Sequence, residues 1–171
     1  MGLDKDCPFH IGKGVPGAGD LITDVTGVRL AHRTLRDGGI QTGVTVIMPP
    51  GDDWFRRKLP AAAHVINGFG KTAGLVQVEE MGTLETPIVL TNTLSVGTAW
   101  TALVRYMLAK DPRIGRESAT VNPVVCECND AYLNDIRGLH VTEDDVLLAL
   151  QDAEKAGPLF EEGAVGAGTT M

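Results

Sequence analysis

The chain has 171 residues, a net charge of -7, a pI near 5.0, and 43% apolar against 22% charged residues. That suits one domain, or one layered part of a larger one, with enough apolar side chains for a core. The acidic balance argues against nucleic acid as a partner, since phosphate binding needs clustered Lys and Arg; the longest basic run, Arg56 to Lys58, lies beside Asp52 and Asp53 and reads as a solvated loop.

Residues 1–20 read as an N-terminal arm. "MGLDKDCPFH" is charged rather than apolar, which is not a signal peptide, and Asp6 stands where a myristoylation signal wants Ser or Thr. "HIGKGVPGAGD" is a Gly- and Pro-rich loop without the order of a phosphate loop. "LITDVTGVRLAHRTL" alternates through Ile22, Val25, Val28 and Leu30, with Gly27 as a turn or bulge in a strand pair. "TGVTVIMPP" is a second strand, stopped by Pro49 and Pro50. "PAAAHVINGFG" and "AGLVQVEEMG" are short apolar runs that could be strand or helix. "TPIVLTNT" is a buried strand.

From Ser95 the period changes. Val96, Ala99, Trp100, Leu103, Val104, Met107 and Leu108 make the apolar stripe of a helix that ends near Lys110 and Pro112. "NPVVCEC" is another buried strand. Thr142 with Asp145 opens a second helix, whose buried face is Val146, Leu147, Leu150 and Ala153, with Gly157 at its end. Strands buried on both faces call for helices on both sides or a second sheet. The tail "GAVGAGTTM" reads as an unfinished element.

No apolar run approaches the roughly 20 residues of a membrane span. Cys7, Cys126 and Cys128 are an odd count with a C-x-C pair, neither a disulfide framework nor the C-x-x-C of a zinc site, and read as reduced thiols in the cytoplasm. His10, His32, His64 and His140 have no metal spacing among them. Ser95 lies where a nucleophile elbow would place it, but Thr93 occupies the first Gly position of G-x-S-x-G, so Ser95 reads as a helix N-cap.

Glu127, set between two cysteines in an apolar strand, is the oddity. A buried carboxylate persists only if paired or hydrogen-bonded. Three readings stay open: an edge strand facing solvent, an ion pair with Arg137 or another Arg, or an anchor for a ligand cation. Tyr132, at the strand's polar end, could donate to an oxyanion, or could be an ordinary half-buried Tyr. Asn129, Asp130, Asn134 and Asp135 are by default turn and cap residues.

"NPVVCECNDAYLNDIRG", with "LITDVTGVRLAH", "TGVTVIMP", "GTLETPIVLTNTLSVGTA" and "EEGAVGAGTTM", resembles the DmpA-type aminopeptidases, which include L-aminopeptidase/D-esterases and β-peptidyl aminopeptidases. The resemblance runs from about Gly19 to Met171. It implies an α+β fold, the αββα four-layer sandwich, in which residues 21–171 form the N-terminal portion of one domain completed by a second segment or chain. It also implies a precursor that cuts itself, leaving a β subunit whose N-terminal Ser is the nucleophile. It implies αβ heterodimers assembled into tetramers, no cofactor or metal, and small peptides, amino-acid amides or esters as substrates. Carried onto this sequence, Glu127 holds the substrate's amine, Tyr132 is the active-site tyrosine, and the polar run, with Asn134 as a second substrate-binding residue, builds the pocket rim. The family's Ser and oxyanion Asn match nothing here and are expected beyond Met171. Thr170 departs from the family's Gly, and would be strained if that position needs a positive φ. Rival readings are an ornithine acetyltransferase-like acyl transfer and a non-catalytic assembly subunit.

Overall fold

The computed structural model describes residues 13–15, 17–66 and 68–170. Cys7, His10 and most of the arm expected over 1–20 lie outside the described residues.

The main sheet has four strands in the order β1 (Arg29–Asp37), β2 (Ile40–Met48), β5 (Ile88–Asn92) and β6 (Val124–Cys128). The first two are a hairpin turning at Gly38 and Gly39. β2 pairs antiparallel with β5, while β5 and β6 run parallel. A parallel neighbour needs a crossover, and α2 (Val96–Lys110) supplies it. β3 (Leu59–Pro60) and β4 (Thr83–Leu84) make a small second sheet beside α1 (Leu75–Met81).

α2 packs on β5 and β6, and α3 (Glu143–Lys155) packs on β1 and β2, so both long helices share one face of the sheet. Val44, Val46, Met48, Val89 and Val125 point into that core against Ala99, Leu103, Val146 and Leu150. α3 opens with the expected capping box: Thr142 Oγ1 accepts from Asp145 N at 3.2 Å, and Asp145 accepts from Thr142 N at 3.0 Å. Its buried face includes Ala149, with Leu147 only partly covered.

Glu154 ties the two helices together. It accepts from Tyr106 Oη at 2.7 Å and pairs with Lys110 at 2.6 Å. The Lys110 bond, then the Tyr106 bond, holds its carboxyl below the usual range, while burial and Glu154 push the phenol far up.

The other face of the sheet is covered in two patches. Val124 meets Val78 and Leu84 beneath α1. Over β1 and β2 lies the last 3-10 turn, Gly166–Thr170, whose Gly166 N and Ala167 N donate to Thr34 and Thr45 hydroxyls at 2.8 and 3.0 Å. His32 bridges Thr45 and the Glu161 carbonyl, and burial lowers its pKa. Between the patches Ile47, Leu90 and Cys126 are only half-buried.

Five expectations change. The alternation over 22–28 is not a strand: Ile22–Asp24 is a 3-10 turn, and Ile22 and Val25 are exposed. The helix stripe is rotated, since Ala102 and Tyr106 are buried while Trp100 and Leu108 line an outer groove with Ile114 and Val121. Ser95 occupies the N-cap position of α2 without a side-chain cap; Asn92 Oδ1 caps instead, accepting from Leu94 N and Ser95 N at 3.1 Å. Thr170 has no positive φ, so the strain does not arise.

The fifth concerns the basic run. Arg56 pairs with Asp111 and Arg57 with Asp52, but Lys58 bonds the buried Glu85. Glu85 also accepts from Asn122 N at 2.6 Å, just before β6. Lys58→Met should leave that carboxylate buried with one donor, a loss of about 3 kcal/mol. A urea-unfolding midpoint unchanged from wild type would refute this.

Candidate functional site

β5 and β6 end side by side, and Thr91 pairs with Glu127 in their parallel register. Carboxyl ends of parallel strands are where open α/β sheets place ligands. Glu127 shares the parity of the core residue Val125, so its side chain leaves the sheet on the helix face, where the chain turns from β5 into α2. It is half-buried.

Two elements hold its carboxylate. Ala73 bridges Val125 at the free edge of β6, with N–H···O distances of 2.9 and 3.2 Å in the two directions. That contact lays residues 70–73 along β6, and Lys71 N donates to Glu127 Oε1 at 2.7 Å. From the other side, Thr93 Oγ1 donates to Oε2. Gly70 lies close against this carboxylate: a Cβ there would stand 3.0 Å from Oε1, so the carboxylate would have to give by a few tenths of an ångström. Both donors are uncharged. Lys71 Nζ turns away, donating to Phe69 O at 2.9 Å and lying 4.2 Å from the centre of the Phe69 ring.

Among the described residues no basic side chain pairs with Glu127; Arg137 is exposed and does not reach it. This removes the ion-pair reading. The solvent-facing reading holds in part: β6 is the edge strand of the sheet and Glu127 is half-exposed, although each carboxylate oxygen also accepts one bond from protein.

The polar run after β6 is a built turn. Ala131 N donates to Asn129 Oδ1 at 3.0 Å, and Leu133 N and Asn134 N donate to Asp130 O at 3.2 and 3.0 Å. Asn134 is buried: Oδ1 accepts from Gln41 N at 3.0 Å and Nδ2 donates to Asp130 Oδ1 at 3.1 Å. Its amide therefore fastens the turn to the β1–β2 hairpin instead of presenting a polar group at the surface. Tyr132, at the tip of this turn, is 97% exposed and hydrogen-bonds to none of the described residues. The structure thus does not join Tyr132 to Glu127 by any direct contact. Phe69, Leu94 and Leu133, on the segments that also carry Lys71, Thr93 and Tyr132, are exposed as well.

Thr93, Gly70 and the Lys71 backbone are absent from the sequence-based site. The available signal is the Gly-rich "GFGKTAG", whose glycines permit close backbone approach. Cys126 and Cys128 flank Glu127 on the opposite face of β6; burial, then the Glu127 charge, raises the Cys126 thiol. No cluster of three or more His, Cys, Asp or Glu able to hold a metal occurs among the described residues. No helix among them is long and apolar enough to cross a membrane.

Comparison with known proteins places these features in context. The model of peptidase family S58 matches residues 20–171. The chain is 38% identical over 177 residues to a β-peptidyl aminopeptidase of Sphingosinicella xenopeptidilytica, covering 98% of this chain and 42% of that protein. A β-aminopeptidase structure from a Burkholderia species superposes with a TM-score of 0.84 at 44% identity, covering 95% of this chain and 46% of the other. An L-aminopeptidase D-Ala-esterase/amidase of Ochrobactrum anthropi, described as a prototype of the serine aminopeptidases and a variant of the Ntn-hydrolase fold, superposes with a TM-score of 0.77 at 34% identity, over 94% and 46%. The chain thus spans less than half the length of each of these relatives.

Proposed function

The chain belongs to peptidase family S58, and from that premise we propose that it is the amine-binding part of a self-processing aminopeptidase whose nucleophile lies on a second segment. One observation carries the reading. Glu127 is a half-buried carboxylate held by two neutral donors, with no cation matched to it among the described residues. A substrate ammonium completes it with a charge-assisted bond. The similarity to aminopeptidases, one of them described as a serine enzyme of Ntn type, supports the same reading.

In this mechanism the second segment's N-terminal Ser attacks the carbonyl carbon of the substrate's first residue. Its own α-amine, with a pKa of about 7.7–8.0, takes the hydroxyl proton. The tetrahedral intermediate expels the leaving amine, which receives that proton, and an acyl-Ser ester remains. Water hydrolyses the ester and frees the first residue. Glu127 fixes the free amine throughout. Tyr132 lies over the reaction centre and donates to the developing oxyanion once the second segment covers its exposed turn. That segment also brings the second sheet onto the half-covered face around Ile47 and Leu90, completing the αββα layers. The αβ units assemble further, as tetramers, in the cytoplasm. Substrates are small peptides, amides or esters with a free amine.

The test is an intact mass of the purified protein under denaturing conditions, with N-terminal sequencing of every species. Two polypeptides are expected, the second beginning at Ser or Thr. A single uncut polypeptide with full activity would sink the self-processing reading.

A further inference from the structure

We infer that Thr93 is a positioning residue that aims the Glu127 carboxylate at the substrate amine; the inference rests on the anchor reading of Glu127 given above. A glutamate side chain has three rotatable bonds, and a single donor would leave the carboxylate plane free to turn. Here the two oxygens are held separately, Oε1 by Lys71 N at 2.7 Å and Oε2 by the Thr93 hydroxyl. The donors come from opposite sides, one from the segment along the edge of β6 and one from the residue after β5. Together they fix the plane.

Each carboxylate oxygen accepts at two lone-pair positions, so one remains open on each. A primary ammonium carries three N–H groups and can use both. Because neither donor is charged, the full negative charge is kept for the ligand.

The local sequence explains why Thr93 is free for this task. A threonine at the start of a helical turn ordinarily caps it. Asn92 does so here, with Oδ1 on Leu94 N and Ser95 N, while its Nδ2 donates to Thr42 Oγ1 at 2.9 Å. The Thr93 hydroxyl is left to point across to β6.

The assembled enzyme carrying Thr93→Val or Thr93→Ser is assayed on an amino-acid amide and on its N-acetylated counterpart, beside Glu127→Ala. Thr93→Val is expected to raise KM for the free-amine substrate about 10-fold and to change kcat by less than about 3-fold, the pattern of lost ground-state binding. The acetylated substrate should be unaffected, and Thr93→Ser should restore KM to within about 3-fold of wild type. Should Thr93→Val fail to assemble, Thr93→Ala against Thr93→Ser makes the same comparison. An unchanged KM overturns the inference. So does equal damage to both substrates, or failure of the Ser variant to restore KM, either of which makes Thr93 merely structural. If Glu127→Ala itself damages both substrates alike, the anchor reading falls first and this inference falls with it.

Discussion

In the assembled enzyme, Glu127→Ala is expected to lower kcat/KM on free-amine amides about 100-fold and on amino-blocked amides by less than about 3-fold. The magnitude follows from simple electrostatics. A carboxylate and an ammonium about 4 Å apart attract by about 4 kcal/mol at an effective dielectric of about 20. Desolvating both groups removes part of that, and about 2–3 kcal/mol is left. Each 1.36 kcal/mol is tenfold, which gives the stated factor. Glu127→Gln tests the charge apart from the shape. It keeps the volume but cancels the charge, and both protein contacts can survive: the amide oxygen accepts from Lys71 N–H while the NH2 donates to the Thr93 hydroxyl, which rotates to accept. It should therefore lose most of the free-amine preference, as Ala does, while keeping the cradle around residue 127 in place. Parallel kinetics on both substrate types settle the matter: an equal loss on both would remove the anchor role and leave Glu127 as a structural carboxylate.

Elements whose signals are local were legible in the sequence. The capping box at Thr142 and Asp145, the strand at Val124–Cys128 and the helix following Ser95 depend on residues within a turn of one another. Contacts between distant segments were not. The alternation of Ile22, Val25 and Val28 looks like a strand, but β1 pairs with β2 only from Arg29 onward, and among the described residues no strand pairs with the earlier ones. Lys58 reads as solvated because its carboxylate partner, Glu85, arrives 27 residues later.

The candidate site shows the same division. Glu127 stands out from its strand because a carboxylate among apolar neighbours violates the pattern. Its cradle does not, since Lys71 contributes a backbone N–H, which any residue but proline could supply. Thr93 served the sequence argument only by excluding a nucleophile elbow. The sequence could not show that Asn92 takes over the capping and so releases the Thr93 hydroxyl. Asn134 illustrates the converse. Its residue type reads as a turn residue and only the family resemblance makes it a rim ligand; its buried amide joins two loops, as the residue-type reading has it.

Gly74→Ala is expected to destabilise the protein by more than about 3 kcal/mol and to remove the preference for free-amine substrates with it. Gly74 precedes α1 with φ at 89°, a conformation that costs an L-residue roughly 1–2 kcal/mol. A Cβ there would also lie 2.1 Å from the Pro123 carbonyl oxygen. That atom is backbone at the entry to β6 and cannot rotate aside, so one segment must shift. The contacts that would loosen are the Ala73–Val125 bridge and the bond from Asn122 Nδ2 to Gly74 O at 2.9 Å. Lys71 N sits just before this bridge, so its bond to Glu127 goes as well. For a chain of this size 3 kcal/mol corresponds to a fall in Tm of roughly 6–12 °C. Gly97→Ala is the matched control: the same methyl group is added on α2, where its Cβ meets nothing within 4 Å. In a helix that change should stabilise by about 0.5–1 kcal/mol. Thermal melts of the two variants should therefore move in opposite directions from wild type. If Gly74→Ala melts with wild type, the segment along β6 is not held by this turn, and the cradle around Glu127 must owe its position to something else.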